Sequence, residues 1–263
     1  MAMYVRGRAP RYVRRTRYRI YFSLILIIGL LPSFLFHRQP EDLGLVPDGG
    51  ASGSRHGRPI ATPDLPRSIK ASEAVRSRTF WLLALGVSAG TLATGAMPAS
   101  LIPMFVDRGM ALPLAVLGVS LHGITSFATR PLWAWCTHRF HIRRIILAIA
   151  IYGALAAPMP FLLSGDPLVL YAAIISISIG GLTTTNALIW PAYFGRTHLG
   201  SVTGFVRTMQ STTSAFAPLT IPFIYERIGD YAPGIWLVSG AWTTLALCML
   251  LAGRPRANRI APD

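Results

Sequence analysis

Residues 168–193 read LVLYAAIISISIGGLTTTNALIWPAY, without one charged side chain. A helix rises 1.5 Å per residue, so about 20 apolar residues cross the hydrocarbon core of a bilayer, and this run is long enough with residues to spare. Lipid offers no partner to a free backbone N–H or C=O, which leaves helices or closed barrels as the spanning structures; at this length a strand is excluded and a helix is predicted. Working outward, the same reading gives further spans at 20–36, 80–106, 112–135, 145–163, 200–224 and 232–252. Asp107-Arg108-Gly109, the basic residues His138, Arg139, Arg143 and Arg144, Ser164-Gly165-Asp166-Pro167 and the Gly229–Pro233 turn separate them. The predicted fold class is an all-α membrane protein, a polytopic helical bundle. Its parts are a basic tail (1–19), a first helix (20–36), a polar linker (37–78) with a short helix near 68–77, a six-helix bundle (79–253) and a C-terminal tail (254–263).

Composition agrees with this reading. Of 263 residues, 52% are hydrophobic and 13% charged, with mean hydropathy +0.47. Soluble domains carry about a quarter charged residues. The net charge of +15 would suit a nucleic-acid partner, but nucleic-acid binders gather their cations on a folded polar surface. Here the arginines lie mostly between apolar runs, where membrane topology places them. The bilayer is therefore the expected partner and nucleic acid is not. Cys136 and Cys248 have no paired spacing and read as packing residues. No cofactor, metal or enzymatic site is expected: every acid falls in a loop or at a helix end, and neither a His-Glu-x-x-His nor a Walker sequence occurs. The N-terminus lacks the small-residue cleavage pattern of a secretory leader.

Charge also orients the bundle. With the linker inside, that side gathers Arg38, Arg55, Arg58, Arg67, Lys70, Arg76, Arg78, Arg139, Arg143, Arg144, Arg196, Arg254, Arg256 and Arg259, against Arg108 and Arg227 opposite. The positive-inside rule then puts the linker and the C-terminus in the cytoplasm of a cell membrane, the bacterial inner membrane being the expected one. The tail departs from this pattern, since Arg6, Arg8, Arg11, Arg14, Arg15, Arg17 and Arg19 would lie outside. Either the natural start lies upstream and the tail stands in for a longer region, or the first span lies in the interface or fails to insert; the former is the expectation.

Residues 37–49, HRQPEDLGLVPDG, resemble the central cytoplasmic loop of major facilitator superfamily transporters, in the branch of oxalate/formate antiporters and monocarboxylate porters. Further likenesses follow in order: Ala74-x-x-Ser77-Arg78-Thr79-Phe80-Trp81, Asp107-Arg108-Gly109, Tyr193-Phe194-Gly195-Arg196 with Gly200 and Gly204, and Tyr225-Glu226-x-x-Gly229-x-Tyr231. The resemblance implies a twelve-helix fold of two six-helix halves with a substrate path between them. This chain would supply the C-terminal six-helix half and the one helix before it. An N-terminal half-transporter or a second copy would complete the path. Two departures stand out: His138 replaces the acid of the family's loop between helices eight and nine, and Ala192 stands where many relatives have an acid.

The candidate substrate residues follow from charge and polarity within spans, where each charge costs several kcal/mol and requires a reason. Ser126-Phe127-Ala128-Thr129-Arg130-Pro131 resembles a D-x-x-x-R-P motif whose arginine holds the substrate carboxylate, with Ser126 in place of the acid. His122, Ser126 and Arg130 share one helical face at a spacing of four. Arg130 either binds a small carboxylate bidentately or snorkels to the membrane edge. Arg207, with Ser211 and Ser214 on its face, either meets the substrate or makes a gate contact. His122 is a proton relay or a packing residue. Asn186, beside Thr183, Thr184 and Thr185, either touches substrate or bonds between helices. Gly180-Gly181, Gly90, Gly95 and Pro98 would permit close packing or bending. The leading expectation is a secondary carrier for mono- or dicarboxylates, present as a half or truncated carrier. The alternative is a non-transporting remnant or a regulatory membrane partner of a full-length carrier.

Overall fold

The computed structural model describes Ser23 and residues 71–163, 165–195 and 199–253. Backbone contacts divide the chain into two units, Met1–Ile60 and Ala61–Asp263, and the architecture below is that of the second. Apart from Ser23, the expected first helix at 20–36 lies outside the described residues, as do the basic tail, the 37–49 string, Arg196 and the 254–263 tail.

The described residues fold into helices without a strand. They are α1 (Ala71–Arg76), α2 (Arg78–Asp107), α3 (Leu112–Arg139), α4 (Ile142–Ala156), α5 (Leu168–Phe194), α6 (Leu199–Ile228) and α7 (Ala232–Leu251), with a 3-10 turn at Met159–Phe161. Ser77 separates α1 from α2: its Oγ donates to Ala74 O (2.7 Å) and accepts from Phe80 N (3.2 Å), capping the first turn of α2. Gly109 and Gly229 have φ of +83° and +76°, conformations that glycine adopts without steric cost, and they follow the ends of α2 and α6. This accounts for the glycines of the Asp107-Arg108-Gly109 and Tyr225–Tyr231 segments.

The helix expected at 145–163 starts earlier and ends sooner, at Ile142 and Ala156. Pro158 has no N–H to give to Ala154 O, so the helix stops there. Ser239 Oγ of α7 takes the freed carbonyl at 2.9 Å, Tyr171 OH of α5 donates to Ala157 O at 3.2 Å, and Arg108 reaches Pro160 O. In a non-polar surrounding such replacements are required rather than optional. The helix expected at 112–135 instead runs on to Arg139, and that expected at 200–224 runs from Leu199 to Ile228, because no proline or glycine interrupts either extension.

Successive helices run in alternating directions and give the bundle two chemically distinct ends. At one, Phe80 of α2 packs against Trp190, Phe194 and Phe205 at ring separations of 6.3, 5.8 and 5.9 Å. There too, Arg143 at the start of α4 donates to Met249 O and Leu250 O of α7, both at 2.9 Å. This end carries Arg76, Arg78, Arg139, Arg143 and Arg144. At the other, Tyr225 OH donates to Asp107 Oδ1 (3.0 Å), and Asp107, Asp166, Glu226 and Asp230 accompany Arg108 and Arg227. Tyr231 stacks on Tyr225 there at 4.1 Å, and burial, aided by Tyr225 and Asp107, raises the pKa of its hydroxyl.

Helix α2 packs on α6 and α7, α5 on α3 and α4, and α4 on α7. The buried core runs from Phe80 and Phe105 of α2 through Tyr171 of α5 to Trp242 of α7. Among the described residues, five stretches are long and apolar enough to cross a membrane: α2, α3, α4 with its 3-10 turn, α5 and α7. Helix α6 is as long as α2 but carries Arg207, Gln210 and a series of hydroxyls. The fold is therefore an all-α, polytopic helical bundle of the membrane type.

Candidate functional site

Helix α6 has three faces. Val202, Val206, Gln210, Ala217 and Ile221 are buried against the bundle. One exposed flank is apolar, with Phe205, Phe216, Leu219 and Phe223. The other is polar or small, with Gly204, Arg207, Ser211 and Ser214, three and four residues apart and therefore on one side. Helix α3 divides in a similar way. Ala115, Gly118 and Ser126 are buried, while Leu117, Ile124, Leu132 and Trp135 form an exposed apolar flank. Arg130 lies off that flank, exposed, with its guanidinium carbon 5.9 Å from the Phe127 ring centroid.

Each arginine lies well inside its own helix. Counting back from Arg139 to Arg130 at 1.5 Å per residue gives about 14 Å; counting in from Leu199 to Arg207 gives about 12 Å. Both counts start at the arginine-bearing end. Helix α5 packs against both α3 and α6, and between positions 180 and 190 only Thr183, Ala187 and Leu188 on it are exposed. Neither arginine hydrogen-bonds to α5, whereas His122 bonds to Ser176 on it and Asn186 bonds from it to Gln210 of α6.

Asn186 is held by three bonds. Its Nδ2 donates to Gln210 Oε1 and its Oδ1 accepts from Gln210 Nε2, both at 3.2 Å, while Trp190 Nε1 donates to the same Oδ1 at 3.3 Å. Gln210 is itself buried. This reciprocal amide pair ties α5 to α6 and fixes which way α6 turns, so that Arg207, one turn earlier, stays on the exposed flank. Sequence reading missed Gln210. The signal was available, since a glutamine deep in a membrane helix costs free energy unless its amide is paired. Changing either Asn186 or Gln210 to Leu should strand the other amide and cost about 1 kcal/mol in thermal unfolding in detergent, and the double change should cost less than the sum. Strict additivity would show that the pair does not form.

His122 Nδ1 lies 2.6 Å from Ser176 Oγ, and Ser176 Oγ also bonds Ala172 O. Ser176 has one hydrogen; if Ala172 O takes it, His122 supplies the other from Nδ1–H, an assignment made from the network. This bond joins α3 to α5. The Ser126 backbone and the Thr129 hydroxyl rest against Gly180, where a Cβ would have no room. The hydroxyls of Thr183, Thr184 and Thr185 turn back to Ile179 O, Gly180 O and Gly181 O, the last two at 2.9 Å. The structure thus places Arg130 and Arg207 in the open and uses His122, Ser126 and Asn186 at helix–helix contacts. Among the described residues no group of His, Cys, Asp and Glu could hold a metal ion.

What the arrangement offers chemically is two permanent cations with planar donor sets, exposed on two helices that share α5 as a support. A family model described as Major Facilitator Superfamily matches residues 15–218 and, in an overlapping second match, 117–263. No curated protein matches the chain.

Proposed function

The chain belongs to the major facilitator superfamily, a family of secondary transporters, and from its two exposed arginines we propose that its substrates are small mono- or dicarboxylates. Arg130 and Arg207 attract and orient the anion, and α3, α5 and α6 form one wall of its path. The arginine-bearing end faces the cytoplasm of the bacterial inner membrane, and a homologous six-helix half, or a second copy of this chain, supplies the opposite wall. In this reading Asn186 and His122 position the helices that carry the arginines.

The observation that carries the proposal is the exposure of two arginines, one on α3 and one on α6, each about 12–14 Å along its helix from the arginine-bearing end. A charge at such depth costs about 2.5–3.5 kcal/mol on insertion scales, a cost that an anion offsets on arrival. Guanidinium suits this task because it stays charged and meets a carboxylate through two parallel N–H donors.

The test is binding of radiolabelled acetate, formate and oxalate to the purified protein in lipid nanodiscs. Removing one charge-assisted contact should weaken binding tenfold to roughly a hundredfold, so Arg207→Ala and Arg130→Ala should each fall in that range, with Arg→Lys intermediate. Equal affinity in wild type and both alanine variants would refute the carboxylate assignment, as would a wild type that binds none of the three.

A further inference from the structure

The α3–α4 connection holds a group of cations that the carboxylate path does not use. Arg139 closes α3, Phe140 and His141 make the turn, and Arg143 and Arg144 open α4. The guanidinium of Arg143 is committed to the last carbonyls of α7. Those of Arg139 and Arg144 are exposed, as are the rings of His138 and His141. Residues 130–145 contain no acid, and among the described residues the only acid at this end of the bundle is Glu73 in α1. Among the described residues, this patch therefore lacks a carboxylate of its own.

Apolar groups stand directly beside these cations. Trp135 and Phe140 are 57% and 56% exposed, and the Arg139 guanidinium carbon lies 5.9 Å from the Trp135 ring centroid. Moving down α3 from Arg139, Trp135, Leu132, Ala128 and Ile124 recur at intervals of four, three, four and four, which keeps them on one helical side. All four are exposed, and they form the apolar flank opposite the one that turns toward Arg130. From Arg139 to Ala128 the helix descends about 16 Å, close to the roughly 15 Å depth of one leaflet's hydrocarbon. A surface with cations at the top, an indole at the boundary and an acyl-length apolar stripe beneath matches one molecule in each of its parts.

We propose that the α3–α4 turn is a binding site for an anionic phospholipid, its phosphate held by Arg139 and Arg144 and one acyl chain lying along Trp135, Leu132, Ala128 and Ile124. A soluble anion would use the cations and leave the stripe unexplained. An acidic protein would do the same, because the stripe runs below headgroup level. The site is independent of which substrate the bundle carries.

Native mass spectrometry of the full chain, released from micelles containing equal phosphatidylglycerol and phosphatidylcholine, tests this directly. The wild type should retain phosphatidylglycerol preferentially. Arg139→Gln with Arg144→Gln should weaken that retention about tenfold or more, as expected for two surface arginines near an anionic headgroup. Arg139→Lys with Arg144→Lys should keep most of it, which separates loss of charge from loss of fold. Arg227→Gln, at the opposite end, should change nothing. Undiminished preference in the double glutamine variant would overturn the proposal. So would displacement of the lipid by glycerol phosphate as readily as by intact phosphatidylglycerol, which would indicate a soluble-anion site, or displacement by polyglutamate, which would indicate a protein surface.

Discussion

Gly180→Ala is expected to lower the unfolding temperature of the bundle in detergent more than any other added methyl on α5. A Cβ at position 180 would stand 2.5 Å from Ser126 O and closer still to the Thr129 hydroxyl. A side chain can rotate away, but Ser126 O belongs to the backbone of α3, so the whole helix must retreat. Retreat also stretches the His122–Ser176 contact (2.6 Å) and the bond from Trp133 Nε1 to Ile177 O (3.0 Å), which lie along the same seam. Overpacking alone costs about 1–3 kcal/mol, and with both bonds weakened about 3 kcal/mol or more is expected. Gly181→Ala makes an internal comparison. Its Cβ would meet Ile149 at 2.8 and 2.9 Å and Trp133 Nε1 at 2.9 Å, all side-chain atoms that can shift, so a smaller loss is expected. Gly123→Ala on α3, where nothing lies within 4 Å, should be neutral or slightly stabilising through helix propensity. A Gly180→Ala protein that melts with the wild type would show that α3 and α5 are not so closely packed.

Where the sequence was legible and where it was not follows from how far apart the deciding residues lie. The long helices were legible because charge interrupts greasy runs locally, at Asp107-Arg108-Gly109 and at Arg143-Arg144. The asymmetry of the ends was legible for the same reason. The end of α4 was not: Pro158 and Pro160 sit inside an apolar run, and the partner that makes a stop acceptable there, Ser239, is 85 positions away. Arg130 and Arg207 stood out because a charge in an apolar stretch always does. Gln210 did not, because an uncharged amide among serines and threonines looks ordinary, and its pairing with Asn186 depends on the rotation of α6 about its own axis. Gly180 and Gly181 read as a small pair, but only the packing shows that Gly180 meets the α3 backbone while Gly181 meets side chains of both α4 and α3. The two exposed arginines were thus visible as chemistry, while the contacts that hold their helices depend on tertiary structure.

Gly153→Ala should destabilise the α4–α7 seam by about 2–4 kcal/mol, and a smaller residue at 242 should recover much of the loss. The added Cβ would lie 2.5, 2.7 and 2.9 Å from Cδ2, Cε2 and Cγ of Trp242, the middle of the indole rather than its rim. The ring has no room to move, since Trp242 is wholly buried. Nor can the helices simply part, because Arg143 clasps the end of α7 at Met249 O and Leu250 O while Ser239 holds Ala154 O one residue beyond Gly153. Trp242 Nε1 is buried without a partner, so Trp242→Phe removes an unpaired N–H together with some apolar contact, and the two effects largely cancel. Trp242→Leu alone opens a cavity and is expected to cost about 3 kcal/mol. Combined with Gly153→Ala, however, it leaves space that the new methyl fills. The double variant should then be more stable than the sum of the two single losses predicts, by an amount large enough to read in thermal unfolding. Additive losses would mean that Gly153 and Trp242 do not meet, and the seam that fixes α4 against α7 would have to be drawn elsewhere.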